Sequence, residues 1–182
     1  MDQGLIPNRY AKALFKFALD KKQAPKVYEL MECLVNSFAA QPKLQAVIAN
    51  PYISADDKTR LLMTAANADA TKDTCFVDFL KLLHSNHRID FARQIALAYL
   101  DIYREANNIC VVKLTTAAEL PQPELERLRK LVEAHLVGAS MEFSKDVDTE
   151  LIGGFVININ SERLDASVSN ELKQLRLKLI SN

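Results

Sequence analysis

The chain has 182 residues, 49% of them hydrophobic and 25% charged. That length suits one large domain or two small ones, and the composition is that of a chain with a core, which excludes a disordered one. Lys plus Arg and Asp plus Glu both number 23, and the halves balance too (14 basic and 12 acidic over 1–107, 9 and 11 over 108–182), so neither half has the basic excess that a nucleic-acid partner requires.

In chain order, Pro7 is placed to open a helix that runs to Asp20. Its polar positions Asn8, Arg9, Lys12, Lys16 and Asp20 share one narrow sector. Its apolar positions spread over roughly 240° of the helix, wider than the ~100° stripe that covers one core. A second helix is predicted from Pro25 to Ala40, and a short third one from Pro42 through Ile48. The third stops at Asn50-Pro51, because a residue before proline is biased away from the helical region. Ser54 and Asp57 resemble a capping box for a fourth helix, with Asp in place of the usual Glu or Gln.

A fifth helix is expected over Thr71–Ser85, with Asn86 as a left-handed cap. Its apolar residues, from Cys75 to Leu83, span roughly 220° at the same angular step. A sixth runs from Ile89 to Asn107. Residues 1–107 therefore read as a six-helix bundle.

The pattern then changes. Ile109–Thr116 is short and β-branched, a strand. Pro121 and Pro123 open a helix through Leu136, and Met141, Phe143 and Val147 mark a second strand. Leu151–Ser167 reads as a strand–turn–strand–helix junction, with Gly153-Gly154 before Phe155, Ile157 and Ile159, and a turn at Asn160-Ser161. Asp165 and Ser167 precede a last helix carrying Val168, Leu172, Leu175 and Leu179. The fold class is mainly α: an N-terminal six-helix bundle over 1–107, then a small α+β domain over 108–182, summarised as β-α-β-β-α.

Little in this pattern points to chemistry. No lysine follows Gly153-Gly154 as a phosphate loop needs, so the pair reads as a bulge or a close backbone approach. His84 and His87 lack the further ligands of a metal site, and no cofactor is implied. Cys33, Cys75 and Cys110 read as buried, reduced thiols. Asp146, Asp148, Glu150 and Asp165 could crowd together as an acid/base cluster, but acids in turns are ordinary solvated charges. An enzyme built around Asp146, Asp148 and Asp165 is the weakest reading, since no convergent site supports it. No charged-then-apolar leader and no apolar run near the ~20 residues of a membrane span is seen, so a soluble cytosolic chain is expected. The positive signal is apolar excess on helices one and five. They are either central in the bundle or the walls of a groove for an amphipathic helix.

Four motifs carry a resemblance: Arg9-Tyr10-Ala11-Lys12-Ala13-Leu14, Asn50-Pro51-Tyr52-Ile53, Asn86-His87-Arg88, and Leu151-Ile152-Gly153-Gly154 with Asp165-Ala166-Ser167-Val168. In this order and spacing the whole chain resembles the delta subunit of bacterial F-type ATP synthases, whose mitochondrial counterpart is the oligomycin-sensitivity-conferring subunit. Ala166 stands where that family often has glycine, and His87 where a second basic residue is common.

The resemblance implies a non-catalytic stator subunit of the peripheral stalk, on the cytoplasmic face of the bacterial inner membrane and associated with it only through the complex. It implies that the N-terminal domain binds the N-terminal helix of an α subunit against helices one and five. It also implies that the C-terminal domain holds the C-terminal ends of the b subunits. Carried onto this sequence by helix phase, the partner-binding residues are Tyr10, Ala11, Leu14, Phe15, Ala18, Phe76, Phe79, Leu80 and Leu83. On this choice Phe15→Asp is expected to weaken binding of the α segment and leave the domain folded. The alternative is a helical adaptor that uses the same groove in another complex.

Overall fold

In a computed structural model the chain divides into two compact units, Met1–Ala106 and Asn107–Asn182. The structure describes residues 4–69, 71–136, 138–149, 151–160 and 162–180.

The first unit contains α1 (Leu5–Asp20), α2 (Ala24–Ala40), α3 (Lys43–Ala49), α4 (Ala55–Ala65), α5 (Thr74–Ser85) and α6 (Ala92–Ala106). A single 3-10 turn, Ile89–Phe91, leads into α6. The core stripe of α1 is Pro7, Ala11, Leu14 and Ala18, one face of a helix. Its two alanines let α6 approach closely, and α6 packs against both α1 and α2.

Tyr99 of α6 is fully buried, and its hydroxyl donates to the Ala24 carbonyl oxygen at 3.2 Å. Burial pushes its phenol well above the ordinary value of 10.0. Tyr99→Phe keeps the ring and removes that donor. Thermal unfolding is expected to register a loss of about 1 kcal/mol. No loss at all would mean that the hydrogen bond contributes nothing.

Three helix ends in this unit follow one rule. After α1, α4 and α5 the chain turns through a left-handed residue, Lys22, Asn67 and His87 respectively. After α5, His87 N–H donates to the His84 oxygen and Arg88 N–H to the Leu83 oxygen, the paired bonds of a Schellman cap. The left-handed residue is thus His87, one place beyond the expected Asn86, which has φ −92°.

Two further differences are local polar effects. The fifth helix starts at Thr74 and not Thr71, because Asp69 and Asp73 fold the preceding residues into a turn. The Asp69 carboxylate accepts both Thr71 N–H and Thr71 Oγ1, and Asp73 Oδ2 accepts Asp69 N–H. At α4, Ser54 Oγ accepts Asp57 N–H at 3.1 Å as an N-cap. The Asp57 carboxylate accepts the Ser54 hydroxyl at 2.6 Å.

The second unit runs β1 (Ile109–Thr116), α7 (Gln122–His135), β2 (Ser140–Val147), β3 (Gly154–Ile159), β4 (Glu162–Ser167) and α8 (Val168–Ile180). The strand order is β2-β1-β3-β4. β1 and β2 are parallel, joined by α7 as their crossover, and the other pairs are antiparallel. Val112, Leu114 and Ile157 on one face of the sheet meet Val132 of α7.

The unit is β-α-β-β-β-α, one strand more than the summary read from the sequence. The added strand, Glu-Arg-Leu-Asp-Ala-Ser, lies at the sheet edge, where neither face is fully covered, so it carries no apolar alternation. The Asn160 part of the expected turn has φ 49°, and Ser161 lies outside the described residues.

Gly154 has φ +79°, and a Cβ there would sit 2.3 Å from the Ala166 oxygen, so this glycine marks a close backbone approach. Ser167 Oγ accepts Asn170 N–H at 3.3 Å, which caps α8. Asp165 Oδ1 in turn accepts the Ser167 hydroxyl at 2.6 Å and Ser167 N–H at 3.1 Å. Those two bonds, with Arg163 adding to them, hold the Asp165 carboxyl below its ordinary 3.8. A depressed folded value means that the carboxylate's stabilising contribution is present above pH 3.8 and is lost as pH falls through the folded value. Asp165→Asn should therefore lower the stability of this unit at neutral pH and remove part of its acid sensitivity. Hydrogen exchange of the α8 amides against pH checks both.

Candidate partner-binding site

α1 and α5 are neighbours, and between them lies an apolar groove of about 320 Å³. Tyr10, Ala13, Leu14 and Phe17 line it from α1, and Asp78, Phe79 and Leu82 from α5. On α1 the spacing i, i+3, i+4, i+7 makes one stripe beside the core stripe, with Leu14 shared. Leu14 and Phe79 form the floor, 4% and 5% exposed. Phe17 at 36% and Leu82 at 47% stand open to solvent on opposite walls. Charge is confined to the rim. The Lys21 ammonium sits 5.7 Å from the Phe17 ring centroid, and Asp78 pairs with Lys81 at 3.5 Å.

Three of the nine residues named from sequence phase reach this groove: Tyr10, Leu14 and Phe79. Ala11, Ala18, Phe76, Leu80 and Leu83 are core residues, none more than 1% exposed, and offer a partner no surface. Phe15 faces the other way. Its ring lies edge-on to Tyr99 at 6.0 Å and to Tyr103 at 6.3 Å, against α6. Two residues along a helix are roughly 160° apart around the axis, so Phe15 and Phe17 cannot share a face. Phe17, Leu82 and Ala13 are the groove residues the phase argument missed. The signal that finds them is position at the border of the polar sector, where an apolar side chain has no core to enter.

The acidic residues do not converge. Asp146 on β2 pairs with Lys113 at 2.9 Å, and Asp165 on β4 is held by Ser167 and Arg163. β2 and β4 are the two edges of the sheet, three strand spacings or roughly 14 Å apart. Glu150 lies outside the described residues. Among the described residues no three His, Cys, Asp or Glu gather as a metal would require. His84 Nδ1 instead lies 3.6 Å from the Asp56 carboxylate. The cysteines are free thiols, but Cys33 is exposed, off the core phase between Met31 and Leu34, and only Cys75 is buried. Among the described residues no helix is long and apolar enough to cross a membrane.

Comparison with known proteins gives one answer. The sequence model of the family described as ATP synthase delta (OSCP) subunit matches residues 6–179. ATP synthase subunit delta of Bacteroides thetaiotaomicron is 37% identical over 180 residues, covering 99% of this chain and 96% of that protein. The subunit of the same name from Prochlorococcus marinus is 30% identical over 174 residues, covering 96% and 94%. In fold, the chain is similar to a chain of the Toxoplasma gondii mitochondrial ATP synthase hexamer, with a TM-score of 0.73 over 96% of this chain and 97% of that one, at 23% identity. A family match across nearly the whole chain, with a relative 37% identical over 96% of its own length, settles the assignment: this chain belongs to the ATP synthase delta (OSCP) subunit family.

Proposed function

We propose that the α1–α5 groove is where this stator subunit holds the catalytic head. As a member of its family, the chain is a non-catalytic peripheral-stalk subunit of an F-type ATP synthase. Within that role, the first unit takes the N-terminal helix of an α subunit. The second unit holds the C-terminal ends of the b subunits. The assembly lies at the cytoplasmic face of the bacterial inner membrane, attached to it only through the complex.

The observation that carries the α-subunit part is the groove itself: apolar floor, two exposed apolar walls, charge only at the rim. An amphipathic helix laid into such a groove binds through apolar anchors at i, i+3 or i+4, and i+7. Covering the part of Phe17 and Leu82 that is still exposed, 36% and 47%, contributes about 1–2.5 kcal/mol at the usual value per side chain. Adhesion of this kind does not decay with salt, which suits a joint that must hold while the rotor turns. Neutral net charge fits the same requirement.

Calorimetric titration of the full chain with a peptide of the α subunit's N-terminal segment tests the reading. One-to-one binding with a negative heat-capacity change is expected. No binding at millimolar peptide would overturn it.

A further inference from the structure

Two apolar surfaces of the second unit lie uncovered within reach of each other. The sheet has four strands. At about 4.8 Å spacing they are wider than the ~10 Å of one helix, so a covered face of such a sheet takes two helices. On the face of Val112, Leu114 and Ile157 the helix present is α7. Its Leu128 and Leu131 form one wall of an open apolar cavity of about 430 Å³, and Phe155, Ile157 and Ile159 of β3 with Leu164 of β4 form the base. Leu164 pairs with Ile157 and so shares its face. Leu131 and Leu164 are each more than half exposed. Among the described residues none from α8 lines this cavity.

α8 presents its polar side to its own sheet. Ser169, Asn170 and Lys173 line a small cavity with Arg163, Asp165 and Ser167 of β4. Those three strand residues alternate with Leu164 and belong to the opposite face. The apolar row of α8, Leu172, Leu175 and Leu179, is turned to solvent, each residue more than half exposed.

We propose that α8 is a hinged cover for the groove between α7 and β4, poised to swing over it about Ser167 and to hide both apolar surfaces until a partner of this unit displaces it. Reach permits the move. Unwinding Val168–Asn170 supplies three connecting residues, within the usual length of a strand-to-helix loop. The remaining helix, Glu171–Ile180, is about 15 Å long, and β4 with its six residues is about 20 Å. The bonds given up are few: Val168 N–H to the Gly153 oxygen at 3.0 Å, Asn170 Nδ2 to the Asp165 oxygen at 2.9 Å, and Asn170 N–H to Ser167 Oγ at 3.3 Å. Water replaces each of them at modest net loss. Five leucines are covered in exchange: Leu131, Leu164, Leu172, Leu175 and Leu179. The closed position also supports α8 itself, whose 13 residues are marginal as a helix without packing. A second copy is the weaker occupant, because a short tether holds α8 at an effective concentration on the order of millimolar beside its own groove.

The test uses the full chain free in solution. Methyl nuclear Overhauser contacts from Leu175 to Leu131 or Leu164 are expected. The α8 amides should exchange at least about 10-fold more slowly than in a Leu131→Asp, Leu164→Asp chain. Leu172→Asp with Leu175→Asp should remove the same protection from the other side of the contact. All four positions are exposed, and β1 amides that stay protected in both variants show that the unit is still folded. No methyl contacts, with α8 exchanging equally fast in wild type and variants, would overturn the proposal. Contacts that arise only between differently labelled molecules in a mixed sample would assign the cover to a second copy and overturn it as well.

Discussion

Gly154→Ala is expected to cost the second unit about 3 kcal/mol or more, enough to unfold much of it. Two effects add. The residue has φ +79°, a backbone conformation that costs an L-residue about 1–2 kcal/mol. A methyl group there would also lie 2.3 Å from the Ala166 oxygen, 3.0 Å from Ser167 Cα and 3.2 Å from the Ala166 carbonyl carbon. All three are backbone atoms of the paired strand, so β3 and β4 must separate, and overpacking of this kind costs about 1–3 kcal/mol. Gly153→Ala is the control. Its Cβ would meet one side-chain methyl, Val168 Cγ2, at 3.2 Å, which a small shift relieves. Hydrogen exchange of the β3 and β4 amides separates the pair of variants. Equal protection in both would contradict the close-approach account.

Phe17→Asp with Leu82→Asp should reduce affinity for the α segment by roughly 100-fold and leave the melting temperature nearly unchanged. Both side chains stand outside the buried core and keep a third to a half of their surface exposed in the free chain, so carboxylates there remove little of the packing. In the complex each carboxylate must be desolvated against an apolar helix face, which adds a penalty to the lost contact. Phe15→Asp should do the opposite of what helix phase suggested. Its ring is packed against Tyr99 and Tyr103, so a charge there breaks the α1–α6 interface and lowers stability by several kcal/mol. Calorimetry and thermal unfolding on both variants check this. A folded Phe15→Asp chain that binds poorly, beside a groove variant that binds normally, would reverse the assignment.

Much of this fold is legible in the sequence because its signals are strictly local. Proline, asparagine and serine at helix ends, and the shift from a 3.6-residue period to β-branched runs after Asn108, mark the elements. What is not legible depends on pairing. β4 is polar because it is an edge: a strand after the Asn160 turn is readable from the junction, but the summary β-α-β-β-α omits it, and its register with β3, Gly154 opposite Ser167, establishes it. Asp69 and Asp73 delay α5 by hydrogen bonds within one loop, which helical periodicity does not see.

The candidate site shows the same limit. Apolar width on helices one and five is readable, and it points to two elements with more than one neighbour. Which edge of a wide arc faces solvent depends on the direction from which α6 and α5 approach α1. Residues two apart, such as Phe15 and Phe17, look alike in the sequence and end on opposite sides of the helix. The spacing of Val168, Leu172, Leu175 and Leu179 on α8 is legible in the sequence, but their exposure is not.

The central claim is that this chain joins the catalytic head to the stalk through the α1–α5 groove. The most direct measurement adds purified chain and catalytic head to membranes that carry rotor and b subunits but lack this subunit. Head rebinding and gradient-driven ATP synthesis are then followed together. Wild-type chain should restore both, and the Phe17→Asp, Leu82→Asp chain should restore neither. Full restoration by that variant would contradict the account.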